Sequence, residues 1–233
     1  MIKTDELQSL QQGHRARLRQ KFLDGKLAEY EILELLLTYA IPRRDVRVLA
    51  RQLYKKYGNI QQLLAAPLED LMDNEGVKEN TATLFKVIHK LLELDYKHTL
   101  DNAPIFHDYD KLTRYCITLV SGKPIEEFHV LYLDAEYKLI KDVLHSTGTT
   151  DWAAVYVREI VKKALDLNAR SVVLLHNHPT PGISFSYQDL DITQEIIDML
   201  KPLGITVYDH LVVSAGMIYS AKNMNLLNQR RSK

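Results

Sequence analysis

The sequence predicts an α+β (α/β-like) protein in two parts. Three observations carry that reading. The first hundred residues place apolar side chains at helical spacing. From about residue 126 the apolar pattern alternates or runs continuously, as in strands, with helical stretches between. The two regimes meet near "LDNAPIFHD" (100–108), a polar stretch containing Pro104. The 233 residues allow two small domains, 1–100 and 101–233.

The elements follow in order. "EYEILELLLTYAI" (29–41) repeats apolar residues at Ile32, Leu33, Leu36 and Leu37, and Pro42 ends it before the basic pair Arg43–Arg44. "DVRVLARQLYKKYG" (45–58) reads as a helix with Asp45 as N-cap and Gly58 as C-cap. Residues 67–97 give a short helix, a glycine turn and a long amphipathic helix. Residues 126–146 alternate and turn at Asp134–Ala135–Glu136, as in a β-hairpin. A helix over 151–169 with Asp151 as N-cap, a continuously apolar and therefore central strand over 171–178, and a capped helix over 186–204 come next. Residues 205–222 give a strand, a glycine turn and a short strand.

Composition is that of a folded globular chain, 46% hydrophobic and 26% charged. Formal net charge is zero, so no global field draws the protein to nucleic acid or a membrane. A mild positive excess in the first hundred residues lies mostly in "GHRARLRQKF" (13–22). The single cysteine, Cys116, excludes an internal disulfide framework and a Cys-rich zinc finger, and its apolar surroundings suggest a buried small hydrophobe. The N-terminus lacks the apolar core of a signal peptide. The most apolar run, "ILELLLTYAI", is short and contains Glu34, so no membrane partner and a cytoplasmic location are expected.

The chemistry concentrates in "LLHNHPTPGISFSYQD" (174–189). Residues two apart on a strand share a face, so His176 and His178 project side by side at a strand end. Pro179 and Gly182 turn the chain back to Ser186 and Asp189 at a helix start. Two imidazoles and the Asp189 carboxylate supply three zinc ligands, and three protein ligands with a fourth position for water is the pattern of a catalytic zinc. The structural alternative is a strand, a turn and a helix whose Ser186-x-x-Asp189 is only a capping box, although Glu or Gln is the usual fourth residue. A zinc-bound water also needs a base. The candidates are Glu126 and Glu127, which alternation sends to opposite faces; spacing alone does not choose between them.

The spacing His176-x-His178-Pro179, six residues, then Ser186-x-x-Asp189 resembles the JAMM (MPN-plus) metalloprotease signature. The stretches "EEFHVLYLD", "STGTTDWAAVYVREIVKKALDLNARSVVLLHNHP" and "GITVYDHLVVS" are similar to the C-terminal domain of bacterial RadC-like proteins. "GHRARLRQKF", "EYEILELLLTYAIPRRDVRVLARQLYKKYGNI" and "LLAAPLEDLMDNEGVKENTATLF" extend the likeness over nearly the whole chain. The resemblance implies a helical N-terminal domain with a helix-hairpin-helix-like element, then a JAMM/cytidine-deaminase-like mixed sheet flanked by helices. It implies Zn2+ on His176, His178 and Asp189, Ser186 beside the oxyanion, and Glu127, the residue before Phe128, as general acid/base. The implied activity is metallopeptidase or isopeptidase cleavage of a peptide or protein substrate. The alternative is a DNA-associated repair or recombination protein whose helical half binds DNA while the zinc domain regulates. Phosphodiester hydrolysis is disfavoured because no second metal site is evident.

Two departures from the family pattern stand out. Thr180–Pro181 and Phe185–Ser186 replace the usual Ser-Gly and Pro-Ser, which keeps ligand spacing but alters the loop. Gly76-Val77-Lys78 lacks the second glycine whose backbone N–H approaches a DNA phosphate, leaving charge from Lys78, assisted by Arg15, Arg17, Arg19 and Lys21, as the means of DNA contact. His210, next to Asp209, is read as structural, and His107, His129 and His145 are assigned no role.

Overall fold

The computed structural model describes residues 4–105, 109–148, 155–180, 182 and 184–227. They form two compact units, 1–90 and 91–233. The expected domain boundary at 100/101 differs from this division because the last turns of a long helix, α6 (Glu79–Asn102), serve the second unit. Leu100 and Ile105 enter its core, and Lys97 pairs with Asp142.

The first unit is helical: α1 (Thr4–Leu23), α2 (Glu29–Ala40), α3 (Arg47–Tyr57), α4 (Ile60–Ala65), α5 (Leu68–Met72) and the start of α6. Its core joins Leu33 and Leu37 of α2, Ala50 and Leu53 of α3, Leu63 and Leu64 of α4, Leu71 of α5, and Ala82 and Phe85 of α6. Each fully buried leucine contributes roughly 1.5–3 kcal/mol. Of the predicted caps of α3, Gly58 is the C-cap, whereas Asp45 stands one residue before the N-cap. Val46 occupies the N-cap position, but the Asp45 carboxylate accepts from the Arg47 amide, and Gly58 closes the helix at a φ of 81° that a side chain would strain. Lys86 donates to the carbonyls of Leu64, Ala65 and Ala66, which α4 leaves unpaired at its C-terminus.

The α5–α6 hairpin contains Gly76 at a φ of 90°, and buries Val77. Exposed Lys78 is bracketed in sequence by exposed Glu75 and Glu79, whose charge opposes a phosphate. The Arg15 guanidinium donates to the carbonyls of Ile41 and Arg44.

The second unit is a five-stranded mixed sheet between two helical layers. Its strands are β1 (Glu127–Leu133), β2 (Leu139–Thr147), β3 (Ser171–His178), β4 (Thr206–Ser214) and β5 (Met217–Ser220), in the order β2-β1-β3-β4-β5. Among the described residues only β3 and β4 pair in parallel. The predicted hairpin, central strand and terminal strand pair are therefore present. The remaining helices are α7 (Tyr109–Val120), α8 (Val155–Asp166) and α9 (Tyr187–Leu200), with a 3-10 turn at Lys201–Leu203. Asp151, the expected cap of α8, lies outside the described residues.

Helix α7 was not expected from the sequence. Its β-branched and aromatic residues ("YCITLV") favour strand, yet Leu112, Tyr115, Cys116 and Val120 recur at helical spacing and pack on Leu131, Leu133, Val173 and Leu175. Cys116 is fully buried, and burial pushes its thiol upward, away from the reactive thiolate. On the opposite sheet face, Phe128, Val130, Tyr132, Val172 and Leu174 pack against Val157 and Ile160 of α8 and Ile192 and Ile196 of α9. Both central strands are thus covered on both faces.

Candidate metal centre

Three local rules build the site. Strand alternation puts His176 and His178 on the α8–α9 face of β3, where Phe128 of β1 stacks on the His176 ring with centroids 6.1 Å apart. A reciprocal capping box then delivers Asp189. The Asp189 amide donates to Ser186 Oγ at 3.1 Å, and the Ser186 amide donates to Asp189 Oδ2 at 2.6 Å. Finally, the turn between β3 and α9 folds that carboxylate onto the histidines; Pro181 and Ile183 of this turn lie outside the described residues.

The ligand atoms converge. His176 Nε2 stands 3.0 Å from His178 Nε2 and 3.2 Å from Asp189 Oδ1, and His178 Nε2 stands 3.4 Å from Asp189 Oδ2. Ligands held about 2.0–2.1 Å from a tetrahedral zinc lie roughly 3.3 Å from one another. The donor set and its spacing therefore fit a zinc-sized ion. Glu126 completes the group: one ligand atom from each of Glu126, His176, His178 and Asp189 lies within 4.8 Å of the others. Its Oε1 is 3.9 Å from His176 Nε2, farther out than the tetrahedral spacing.

The electrostatics support the same arrangement. Burial opposes ionisation of Asp189, but His176, His178 and the Ser186 amide outweigh it and hold the carboxyl well below the usual range. Burial raises Glu126 instead, with the histidines opposing.

Glu127, the base implied by the family resemblance, lies on the sheet face opposite His176 and His178. Its Oε2 is 3.1 Å from His129 Nε2 and its Oε1 3.1 Å from Lys123 Nζ. The structure brings Glu126 to the histidines because Glu126 shares the parity of Phe128, whose Cα pairs with that of His176. Asn177 fixes this register. Pointing opposite to its histidine neighbours, it accepts from the Glu127 amide at 2.9 Å and donates to the Ile125 carbonyl at 3.1 Å, gripping the backbone on both sides of Glu126. Ser186 sits at the α9 N-cap, adjoining Asp189.

Two further residues adjoin the cluster: His210, which the sequence leaves as structural, and Thr193, which it does not single out. His210 of β4 is fully buried, with Nε2 2.9 Å from His176 Nδ1 and Nδ1 2.6 Å from Thr193 Oγ1 of α9. Burial, reinforced by His176, holds His210 well below the ordinary histidine range and so neutral. Its neighbour Asp209 points the other way, accepting from Tyr109 and Ser220 at 2.6 Å each. The alternating "YDHLVV" pattern showed that the pair divides between faces; no sequence signal tied His210 to a histidine 34 positions earlier.

The layered sheet and the Glu–His–His–Asp group define a metal-dependent hydrolase-like domain. Residues 106–226 match the family model described as the RadC-like JAB domain. Over 219 residues the chain is 36% identical to a UPF0758 protein of Fusobacterium nucleatum subsp. nucleatum, covering 90% of this chain and 94% of that relative. The chain belongs to the RadC-like family. Among the described residues no helix is long and apolar enough to cross a membrane.

Proposed function

We propose that this domain is a zinc-dependent hydrolase of peptide or isopeptide bonds. The supporting observation is the near-tetrahedral spacing of His176 Nε2, His178 Nε2 and the Asp189 carboxylate, with Glu126 standing just outside it. His176, His178 and Asp189 hold the ion. When bound, zinc acts as a Lewis acid that polarises a carbonyl and makes water more acidic. Glu126 accepts the proton of the attacking water and passes it to the leaving amine, a role suited to a carboxyl whose pKa burial raises. Ser186 Oγ accepts the Asp189 amide, which leaves its hydroxyl hydrogen available to a substrate oxygen as charge develops there. The preference for an amide bond derives from the family likeness.

The test compares wild type with His178→Ala for zinc content and for cleavage of a panel of peptide and isopeptide-linked conjugates. Wild type is expected to carry one zinc per chain and to cleave at least one panel member, and the variant to lose both. Wild-type protein that takes up no zinc at saturating metal would refute the reading.

A further inference from the structure

We propose that His210 and Thr193 are positioning residues that lock His176 into the tautomer presenting an unprotonated Nε2 to the cluster. The chain of contacts permits only one direction of hydrogen bonding. It begins at the main-chain carbonyl of Asp189, which can only accept. Thr193 lies one helical turn later in α9, and its hydroxyl donates to that carbonyl, the usual back-bond of a threonine inside a helix. A threonine has a single hydroxyl hydrogen, so the same oxygen must accept from its other neighbour, His210 Nδ1, at 2.6 Å. A neutral imidazole carries one N–H, and enclosure by the rings of Phe128 and Phe185 favours the neutral form here. His210 Nε2 is therefore an acceptor. It faces His176 Nδ1 at 2.9 Å, which must be the donor. The lone pair of His176 is left on Nε2, the atom that faces His178 Nε2 and Asp189 Oδ1.

The relay also closes on itself. It starts at the backbone of Asp189 and ends at the histidine whose Nε2 is 3.2 Å from the Asp189 carboxylate. Two residues of the cluster, one on a strand and one on a helix, are thus joined by a route separate from their direct contact. Without the relay, His176 would divide between two tautomers, and one of them directs an N–H at the place where a ligand lone pair is needed. Partners of this kind change metal affinity by about 10–100-fold.

The functional consequence rests on the zinc reading above, whereas the tautomer does not, and the experiment separates them. In metal-free protein, long-range 15N–1H spectra assigned with His176→Gln are expected to show His176 protonated at Nδ1. A predominantly Nε2-protonated ring would overturn the relay, whatever the protein does with zinc. Zinc affinity is then measured by chelator competition. His210→Leu, apolar like the surroundings, is expected to weaken zinc by about 10–100-fold. His210→Gln is expected to recover most of the loss, because its carbonyl oxygen accepts from His176 Nδ1 and its amide donates to Thr193. Wild-type affinity in folded His210→Leu, or a glutamine variant as weak as the leucine one, would sink the proposal. Thr193→Val preserves volume and serves if His210→Leu does not fold. It is expected to redistribute the His210 tautomer and weaken zinc, and unchanged spectra and affinity would count equally against the relay.

Discussion

Back to back on the central sheet, two histidine–carboxylate groups differ in how their polar atoms are arranged. Facing α7, Glu127 sits between Lys123 and His129. Burial lowers the His129 pKa while Glu127 opposes it, and the lysine supplies a full positive charge. There the carboxylate is matched on both sides, by Lys123 Nζ and His129 Nε2, while His129 Nδ1 is buried without a hydrogen-bond partner among the described residues. Facing α8 and α9, the relay turns an imidazole lone pair toward a second imidazole and a carboxylate about 3 Å away. Acceptor atoms converging in this way are held together by a cation among them, either a proton or a metal ion. Residue type is nearly the same on both faces. The direction in which hydrogens point separates an ion pair from a binding site.

The comparison breaks most visibly at the two glutamates. Glu126→Gln is expected to lower hydrolytic kcat/KM by about 10²–10⁴-fold, the usual contribution of a positioned base, with zinc content unchanged. Glu127→Gln should leave kcat/KM near wild type. The reverse ranking in a steady-state assay would move the base to the other face.

Asn177 couples the faces, since it lies on the Glu127 side and grips the backbone around Glu126. Asn177→Ala removes one buried and one part-buried hydrogen bond and should cost about 1–3 kcal/mol in urea unfolding. It should also lower kcat at constant zinc content. An unchanged kcat would limit the clamp to stability.

A smaller, pH-dependent effect is expected at His145, which lies 2.7 Å from the Tyr132 hydroxyl. Burial holds its pKa down at about 4, against 6.5 for the free side chain. The unfolded chain therefore binds more protons in that interval, and stability falls as pH drops from about 6.5 toward about 4. His145→Gln keeps a partner for Tyr132 and removes the titration. Between pH 7 and 5, wild type should lose more thermal stability than the variant; parallel losses would assign the acid sensitivity to other groups.

The smallest effect belongs to Lys123. It is substantially exposed, so Lys123→Met should cost only about 0–1 kcal/mol and leave zinc affinity unaltered. A change in zinc affinity would contradict the separation of the two faces.

Much of the centre was legible in the sequence because its rules are local. Period-two alternation paired His176 with His178, the proline and glycine forced a turn, and Ser186-x-x-Asp189 marked a helix start whose capping geometry carries the third candidate ligand. The helix–sheet division was legible for the same reason, except at α7, where β-branched residues obscured a helical period.

The sequence by itself determined the candidate donors His176, His178 and Asp189, and the strand–turn–helix that presents them. It also determined that Glu126 and Glu127 must face opposite ways. Tertiary structure decided which glutamate joins the histidines. Strand β1 is buried on both faces, so no solvent side marks its phase, and only its register against β3 does so. Tertiary structure likewise decided that His210 and Thr193 belong to the site. Hydrogen-bond direction depends on which atoms meet, and these atoms meet only because the parallel β3–β4 pairing and the packing of α9 place them together.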